Sequence, residues 1–385
     1  MKKKVYSILK SFLNFIIPII PSKHNNYDIE QSRRKIGKIY KEKKLFDEKN
    51  IKNAKINLDL DLDIIIPIYN SQKYLDRCLN SACNQQTKYN YRIIVIDDGS
   101  TDESMKIVEK YNKKFKNIIK LKQVNSGAAI SRNNGINISN AKYLTFLDSD
   151  DYMELDFVEK MLNNAYESDA DICICGYNTK FADTQKLISS TKLKNTMFDP
   201  MKDSDLLLRL DGFPWGKIYK RNIWNDVRFP EKYNYEDAII KSYVLPLSKK
   251  IMVISENLIN YLVRFDSMSH QKDLNKRKNI ELLDQYFMQE KIIELLNRRG
   301  INITKGLYQN LLHELGTCLW LRTRFLDREI IESVFSLACD LCMKNRINCE
   351  LAFEEKYIEK SLINHNFLMW KLISIYSMIN IKIRR

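Results

Sequence analysis

The stretch "YLTFLDSDDYME", residues Tyr143–Glu154, decides how the chain is interpreted, because an apolar run ends there in three acids within four positions. At this spacing the carboxylates of Asp148, Asp150 and Asp151 repel one another. The stretch is therefore either a surface turn solvated by water or a cation site. Alternate side chains of an extended segment point to the same side, which places the carboxylates of Asp148 and Asp150 together.

The residues around this stretch repeat one pattern, in which an apolar run is followed by a polar loop and then by a segment with helical spacing. Such alternation predicts an α/β fold with a mostly parallel sheet and helices on both faces. In these sheets ligands bind beyond the carboxyl ends of the strands, where all the polar loops fall. The first four predicted strands are "LDIIIPIYN", "YRIIVIDDGS", "IIKLKQV" and "KYLTFLDSDD". Further along the chain we predict a helix at "YEDAIIKSYVLPLSK" and two short strands at "IMVIS" and "LINYLVRF".

Length and charge predict extensions on either side of this core. The chain has 385 residues and a formal net charge of +15, and one domain typically takes about 100–200 residues. Residues 1–56 hold 15 Lys/Arg against 5 Asp/Glu, and residues 371–385 add four cations and no acid. Basic ends suit an anionic surface, either membrane or nucleic acid. No nucleic-acid-binding signature accompanies them, so we expect an anionic membrane and no nucleic acid.

The first apolar segment, Val5–Pro21, is not expected to span a membrane. Lys10 and Asn14 interrupt it, and a span needs about 20 apolar residues. No cleavage site for a signal peptide follows it. We expect it either to lie on the membrane surface or to pack onto the body of the protein. The eight cysteines give neither a disulfide framework nor a zinc set, which fits a reducing compartment. Together with the basic ends, this favours a cytoplasmic location, peripheral on the inner face of the membrane.

Three classes of site were compared for the acidic loops. A dinucleotide-binding fold needs glycines at its first turn, and "PIYNSQKY" has none. A phosphatase with an aspartyl nucleophile needs Asp-x-Asp directly after the first strand, where Pro67 and Tyr69 stand instead. A nucleotide-sugar enzyme fits, because a hard cation such as Mg²⁺ or Mn²⁺ is held between one or two carboxylates and phosphate oxygens.

Residues 62–165 resemble the catalytic core of the family 2 glycosyltransferases with the GT-A (Rossmann-like) fold. The motifs that carry the resemblance are "IIIPIYN", "IVIDDGSTDES", "NSGAAISRNNGI" and "YLTFLDSDDYM". Further on, "PWGKIYKRNIW", "YEDAIIKSYV" and "INYLVRFDSMSH" resemble the branch that builds bacterial surface polysaccharides. The expected domains are a basic leader at 1–56, the glycosyltransferase domain at 57–270, with its halves at 60–165 and 166–270, and a helical region at 271–385.

The resemblance implies a set of residues that bind the nucleotide-sugar. The second acid of the "DDGS" motif, Asp98, would pair with the nucleobase of the donor, or else serve only as a turn residue before Gly99. Arg132 would reach a phosphate or the sugar, or cap a neighbouring carboxylate. The complete implied set is Pro67, Tyr69, Asn70, Asp98, Gly127, Arg132, Asp148 and Ser149.

The resemblance also implies how the reaction runs. Asp237, in the Glu-Asp pair that precedes a predicted helix, would be the general base of an inverting transfer, with helix capping as the alternative. Asp150 would be the main ligand of a divalent cation, Mn²⁺ or Mg²⁺, supported by Asp148. Residues expected to meet the acceptor or phosphate, or to be packing or surface residues, are Trp215, Lys217, Glu236 and His270.

The function implied is transfer of a sugar, from a donor that is expected to be a UDP-sugar, to a growing glycan or lipid-linked glycan of the cell surface. Two alternatives stay open. A sugar nucleotidyltransferase would normally show a glycine-rich basic loop after the first strand, which "PIYNSQKY" lacks. A catalytically inactive binding module has no need of a base such as Asp237.

Overall fold

The computed structural model describes residue 11 and residues 28–43, 45–46, 51–181, 187–189, 193, 195–264 and 279–384. The chain divides into two compact units. The sheet unit takes residues 44–232 and 236–271, and the helical unit takes residues 1–43, 233–235 and 272–385. The segment Val5–Pro21, apart from Ser11, lies outside the described residues, as does His270.

The sheet unit contains ten strands among its described residues, with a helix after the first, second, third and fifth strands. Each of the four predicted strand–helix pairs is present, as expected from the apolar spacing. The strands are β1 Leu62–Ile68, β2 Tyr91–Asp97, β3 Ile118–Lys122, β4 Tyr143–Phe146, β5 Tyr152–Met153, β6 Ile172–Phe181, β7 Leu187–Ser189, β8 Thr196–Phe198, β9 Lys217–Lys220 and β10 Ile251–Val263. Helix α1, Ile29–Ile39, belongs to the helical unit. The helices of the sheet unit are α2 Gln72–Cys83, α3 Ser104–Lys114, α4 Ala128–Ile138, α5 Phe157–Ser168 and α6 Ser204–Leu207.

The strands form one mixed sheet in the order β3-β2-β1-β4-β9-β6-β10-β5, with β7 on β6 and β8 on β10. The first four strands pair in parallel, so their carboxyl ends share one edge. The later strands add antiparallel pairs, because β9 runs against both β4 and β6. The polar loops after β1, β2 and β4 therefore meet at one edge, as the sequence predicts.

A close approach of backbone fixes α4 against the sheet. Gly135 lies on the buried face of α4, and a Cβ there would come within 2.4 Å of Cγ2 of Ile65 on β1. Only hydrogen fits in that space, which lets α4 lie close over β1. The amino end of α4 is thereby set beside the loop that follows β4.

Two predicted elements differ from the structure. The segment predicted as a helix from "YEDAIIKSYVLPLSK" forms a wide π turn at Ile240–Val244 and then a 3₁₀ turn at Leu245–Leu247. Pro246 lacks the N–H that an α-helix would use there. The two short strands predicted from "IMVIS" and "LINYLVRF" are one strand, β10, with register shifts between Val253 and Ile259. A bulge lets polar residues interrupt a strand without ending it.

The helical unit is built from helices that bury Leu, Ile and aromatic side chains among themselves. Its last helix has one fully buried tryptophan, Trp370, whose indole N–H donates to the carbonyl of Leu315 at 3.0 Å. The helices of this unit are α1 Ile29–Ile39, α7 Asp284–Arg298, α8 Lys305–His313, α9 Leu319–Thr323, α10 Arg328–Lys344, α11 Phe353–Ile363 and α12 Phe367–Arg384.

Part of the basic leader belongs to this unit. Helix α1 packs on α10 and buries Ile36. Two of its cations pair with acids of other helices in this unit, since Arg33 contacts Glu290 and Lys35 contacts Glu329. These two charges are therefore already balanced by the protein's own acids. No helix among the described residues has the length and apolar content needed to cross a bilayer.

Candidate functional site

The loop after β4, Asp148–Asp151 (the DSDD loop), lies at the shared carboxyl edge. Its backbone is tied to the sheet, because Leu147 N–H donates to the Ile65 carbonyl at 3.0 Å. Within the loop, Asp151 N–H donates to the Asp148 carbonyl at 3.0 Å, which makes a tight turn. The Ser149 hydroxyl lies 2.7 Å from that of Ser71, at the start of α2. The loop is therefore fixed from both sides.

Arg132 joins this loop to the Glu236–Asp237 pair. Its guanidinium, almost fully buried, donates to Oδ1 of Asp148 and to Oε1 of Glu236, each at 2.9 Å. Burial lowers the pKa of Arg132, but the two carboxylates more than offset this and raise it. Its Nε is buried with no partner in the described part of the chain. Of the two roles expected for Arg132, the structure therefore contains the contact with neighbouring carboxylates. These carboxylates, Asp148 and Glu236, are themselves candidate site residues.

The other two acids of the loop lie in a less favourable electrostatic setting. Asp150 accepts from Arg264, at the end of β10, at 2.8 Å. Burial raises the pKa of Asp150, and the charge of Asp148 raises it further. Asp151 is buried and accepts from Leu262 N–H at 2.8 Å. Burial and the two neighbouring carboxylates hold the pKa of Asp151 well above its usual range. The loop thus carries more negative charge than its contacts balance.

Two cations flank the DSDD loop on the side of β5. Arg77 of α2 lies 4.3 Å from the ring centre of Tyr152 and donates to the Asp150 carbonyl at 3.3 Å. Lys180 of β6 lies 4.8 Å from the same ring centre and also donates to its hydroxyl. Neither cation forms an ion pair within the described residues, so this side favours an anionic ligand.

Asp98 fastens the loop that leads into α4. Its Oδ1 accepts from Ser126 N–H at 2.7 Å and from the Gln123 amide at 2.8 Å, and its Oδ2 accepts from Gly127 N–H at 2.8 Å. Gly127 has a φ of 92°, in the region that favours glycine, and a Cβ there would meet open space. The free N–H groups at this helix start are suited to an anion. Asp98 is more than a turn residue.

The loop after β1 is held against the loop after β2. Asn70 has a φ of 47°, and its Oδ1 accepts from Thr101 N–H at 2.8 Å. Its own N–H donates to the Ser100 hydroxyl at 3.1 Å. Tyr69 is exposed, while Pro67 is partly buried within β1. An exposed ring beside two ordered loops offers a stacking face for a flat ligand.

Asp237 is partly buried at the turn before Ile240–Val244, where its carbonyl accepts from Ile240 N–H at 2.9 Å. Burial and the adjacent Glu236 charge raise the pKa of Asp237 to about 6, against the opposing charge of Arg132. A carboxylate with such a pKa is ionised at neutral pH yet more basic than an ordinary one, as a general base requires.

The remaining candidates are Trp215 and Lys217, which the structure describes, and His270. Trp215 is buried and stacks on Phe213 at 4.6 Å and on Tyr261 at 5.3 Å between ring centres. Lys217 is buried, and its Nζ donates to the Phe213 carbonyl at 2.7 Å. Both contacts are those of packing residues, although a shallow cleft opens beside them, lined also by Tyr177. The structure does not describe His270.

The sequence reasoning missed two contributors. Arg264 stands within the quoted "INYLVRFDSMSH", but nothing in that motif tells which carboxylate it meets. Arg77 occupies the exposed side of a helix, where a solvated cation is the usual interpretation. Each is recognisable only after the fold has brought α2 and β10 to the DSDD loop.

The resemblance implies a divalent cation, and the residues present fit one. No three His, Cys, Asp or Glu side chains in the described ranges are arranged to hold a metal by themselves. Asp148 and Asp150, which meet Arg132 and Arg264 respectively, supply hard oxygen donors. Two carboxylates completed by phosphate oxygens are a usual set for Mg²⁺ or Mn²⁺.

Comparison with known proteins gives a family match and several bacterial relatives. The family model described as "Glycosyl transferase family 2" matches residues 63–227. Glycosyltransferase GlyA of Streptococcus pneumoniae is 30% identical over 55% of this chain and 32% of its own length. The poly(ribitol-phosphate) beta-glucosyltransferase of Bacillus spizizenii is 32% identical over 54% of this chain and 33% of its own. The chain thus spans about a third of the length of these two relatives.

Solved structures resemble the fold over a longer stretch. S. aureus TarS 1-349 has a TM-score of 0.53 at 19% identity and covers 83% of this chain and 92% of its own. The same protein in complex with UDP-GlcNAc has a TM-score of 0.55. This likeness and the family match confirm the predicted fold class, an α/β GT-A sheet with a helical C-terminal region.

Replacing Asp98 with Asn tests the anchoring of the α4 loop. The amide offers one acceptor in place of two and turns an N–H₂ group toward a neighbouring N–H. We expect faster hydrogen exchange at Ser126 and Gly127, by at least about tenfold, since a lost charge-assisted bond is worth about 1.5–3 kcal/mol. Asp199→Asn, at a turn where its Oδ1 accepts from Met201 N–H, is the control. Unchanged exchange at both amides would contradict the anchoring role.

Proposed function

We propose that this chain, whose residues 63–227 belong to glycosyl transferase family 2, moves a sugar from a UDP-sugar to a hydroxyl of a growing cell-surface glycan, with inversion at the anomeric carbon. One observation carries the proposal. Arg132 connects Asp148, at the donor loop, with Glu236, beside the proposed base, although the three stand far apart in sequence. The acidic loop proposed to bind the donor and the segment that carries the proposed general base are thereby held side by side.

The donor side is supported by charge. The amino end of α4, the buried Nε of Arg132 and the cations Arg77 and Lys180 all favour a diphosphate. Tyr69 and Asn70 would bind the nucleoside. Asp98 would hold the neighbouring loop in place and accept a hydrogen bond from the nucleobase. TarS has been crystallised with UDP and with UDP-GlcNAc, which makes UDP the first nucleotide to test.

The chemistry would be a single displacement. The acceptor hydroxyl oxygen attacks the anomeric carbon as the bond from that carbon to the diphosphate oxygen breaks. Asp237 takes the hydroxyl proton, and Arg132 holds Glu236 beside it. A divalent cation at Asp148 and Asp150, when bound, would neutralise the charge on the departing diphosphate. We place the acceptor sugar at the cleft beside Trp215 and Lys217, because it is the concave surface next to the base segment of the same unit.

Metal dependence gives the first test. Excess chelator should abolish transfer, and Mn²⁺ or Mg²⁺ should restore it. Asp150→Asn should raise the cation concentration needed for half-maximal rate at least about tenfold, because a charged oxygen donor is lost. The readout is UDP release in cation titrations. Glu256→Gln, which removes an exposed acid of β10, should leave the titration unchanged. Full turnover in chelator would refute the metal role.

The base gives the second test. Asp237→Asn preserves size but cannot take a proton, so transfer should fall by about 10²–10⁴-fold while UDP affinity is kept. Only the ionised carboxylate is active, and its pKa is raised to about 6. The wild-type rate should therefore decline as pH falls through about 6, and that limb should be absent from any residual rate of the variant. Near-normal turnover in Asp237→Asn would move the base elsewhere.

Release of pyrophosphate from a nucleoside triphosphate and a sugar phosphate would indicate a nucleotidyltransferase.

We further propose that the protein attaches peripherally to anionic membranes on the cytoplasmic side. The glycan or lipid-linked acceptor of such an enzyme lies at a membrane, and each basic residue near an anionic surface contributes about 1 kcal/mol. Since Arg33 and Lys35 are paired inside the helical unit, the cations of residues 1–27 and the last residues are the ones to test.

Deleting residues 1–27 should weaken binding to vesicles of anionic lipid at low salt, as measured by co-sedimentation, and spare donor hydrolysis. The full chain should leave the vesicles as salt is raised. Neutral vesicles are the control. If the full chain ignores anionic vesicles at low salt, the basic ends have another purpose.

A further inference from the structure

The three residues before the Glu236–Asp237 pair belong to the helical unit. Residues 233–235 pack there, whereas residues 232 and 236 belong to the sheet unit. The chain turns sharply at both ends of this segment, since Lys232 and Tyr235 each have a φ of 64°. A positive φ in a residue with a side chain is held only where surrounding contacts impose it. The contacts that impose it here are specific.

Asp284, the first residue of α7, is the centre of these contacts. It is fully buried, and its Oδ2 accepts from Asn234 N–H at 2.8 Å and from the Asn234 amide at 3.2 Å. Its Oδ1 accepts from the Tyr40 hydroxyl at 2.6 Å. Lys43 Nζ contacts both oxygens, at 2.8 and 2.9 Å. A buried charge is tolerated only when it is paired and hydrogen-bonded in this way.

The residues on either side of Asn234 are held as well. The Tyr233 hydroxyl donates to the Lys43 carbonyl at 2.7 Å. The guanidinium of Arg322 lies 3.9 Å from the ring centre of Tyr235, within the usual range for a cation–π contact. Each of the three residues therefore has its own attachment. So dense a set of attachments exceeds what a simple surface connection needs.

We propose that Asp284 is a positioning residue for the base, acting through Asn234. The inference rests on the proposed function, because it takes Asp237 to be the base. Consecutive Cα atoms are about 3.8 Å apart, so Asp237 follows Asn234 by at most about 11 Å of chain. Fixing the backbone at Asn234 and the φ of Tyr235 limits where Glu236 and Asp237 enter the site. Reaction rates depend on placement within about 1 Å. Asp284 thus acts on catalysis through the backbone that connects Asn234 to Asp237.

The test is a double-mutant cycle on the full-length protein. Asp284→Asn removes the charge and turns an N–H₂ toward existing donors. We expect kcat for transfer to fall about 10–100-fold per folded molecule, with donor KM changed less than about threefold. Added to Asp237→Asn, it should lower the rate no further, because its effect passes through that carboxylate. An equal loss in both backgrounds, or an unchanged kcat per folded molecule, would overturn the proposal.

Two further variants make the result decisive. Glu290→Gln, also on α7, removes a carboxylate that pairs with Arg33 of α1, and it should leave kcat within about twofold. Asn234→Ala keeps the backbone bond and should give a smaller loss in the same direction if Asp284→Asn fails to fold. An unchanged kcat in Asn234→Ala would then overturn the proposal. If Asp237→Asn itself keeps near-normal turnover, the proposed base is wrong, which is a separate outcome from the failure of Asp284 to position it.

Discussion

The buried guanidinium of Arg132 is the contact on which the arrangement of the site depends. It brings together two carboxylates that lie 16 and 104 residues beyond it along the chain. Burying three charged groups costs free energy, and a packed apolar set would be as stable or more so. The arrangement is therefore better explained by what it holds in place than by the stability it adds. It fixes the DSDD loop relative to Glu236, the neighbour of the proposed base.

The DSDD loop shows the same preference for function over stability. Asp148 and Asp150 each meet one arginine, while Asp151 is buried with one oxygen that has no partner in the described ranges. Burial and the neighbouring carboxylates raise the pKa of Asp150 and of Asp151, so protonation would relieve the repulsion at a low enough pH. A divalent cation, when bound, would relieve it at neutral pH without taking up a proton. The apolar strand before the loop keeps the acids close despite their repulsion.

The sequence was sufficient for the parts of the fold that local periodicity determines. The four strand–helix pairs and the shared edge of the polar loops follow from apolar spacing. What it could not give are contacts set by long-range packing, such as Arg264 on Asp150 or the partners of Arg132. Trp215 is a further example, because its stacking on Phe213 and Tyr261 depends on residues that lie on separate strands and loops. The π turn after Asp237 likewise depends on Pro246 and its surroundings.

The helical region illustrates why composition alone misjudges a segment. Its Leu, Ile and Lys content suggests a simple amphipathic extension, and the basic leader suggests a surface-binding arm. The structure instead buries one face of the leader's helix α1 on α10 and uses Lys43, just beyond that helix, to balance the buried charge of Asp284. The same charge accepts from the backbone of Asn234. A cation from the leader and a residue next to the base are thus bound to one carboxylate. If Asp284 positions Asp237 as proposed, changes in the leader would reach the base segment through Asp284, and a membrane-binding role for the first residues has to be separated from this one by cutting before α1.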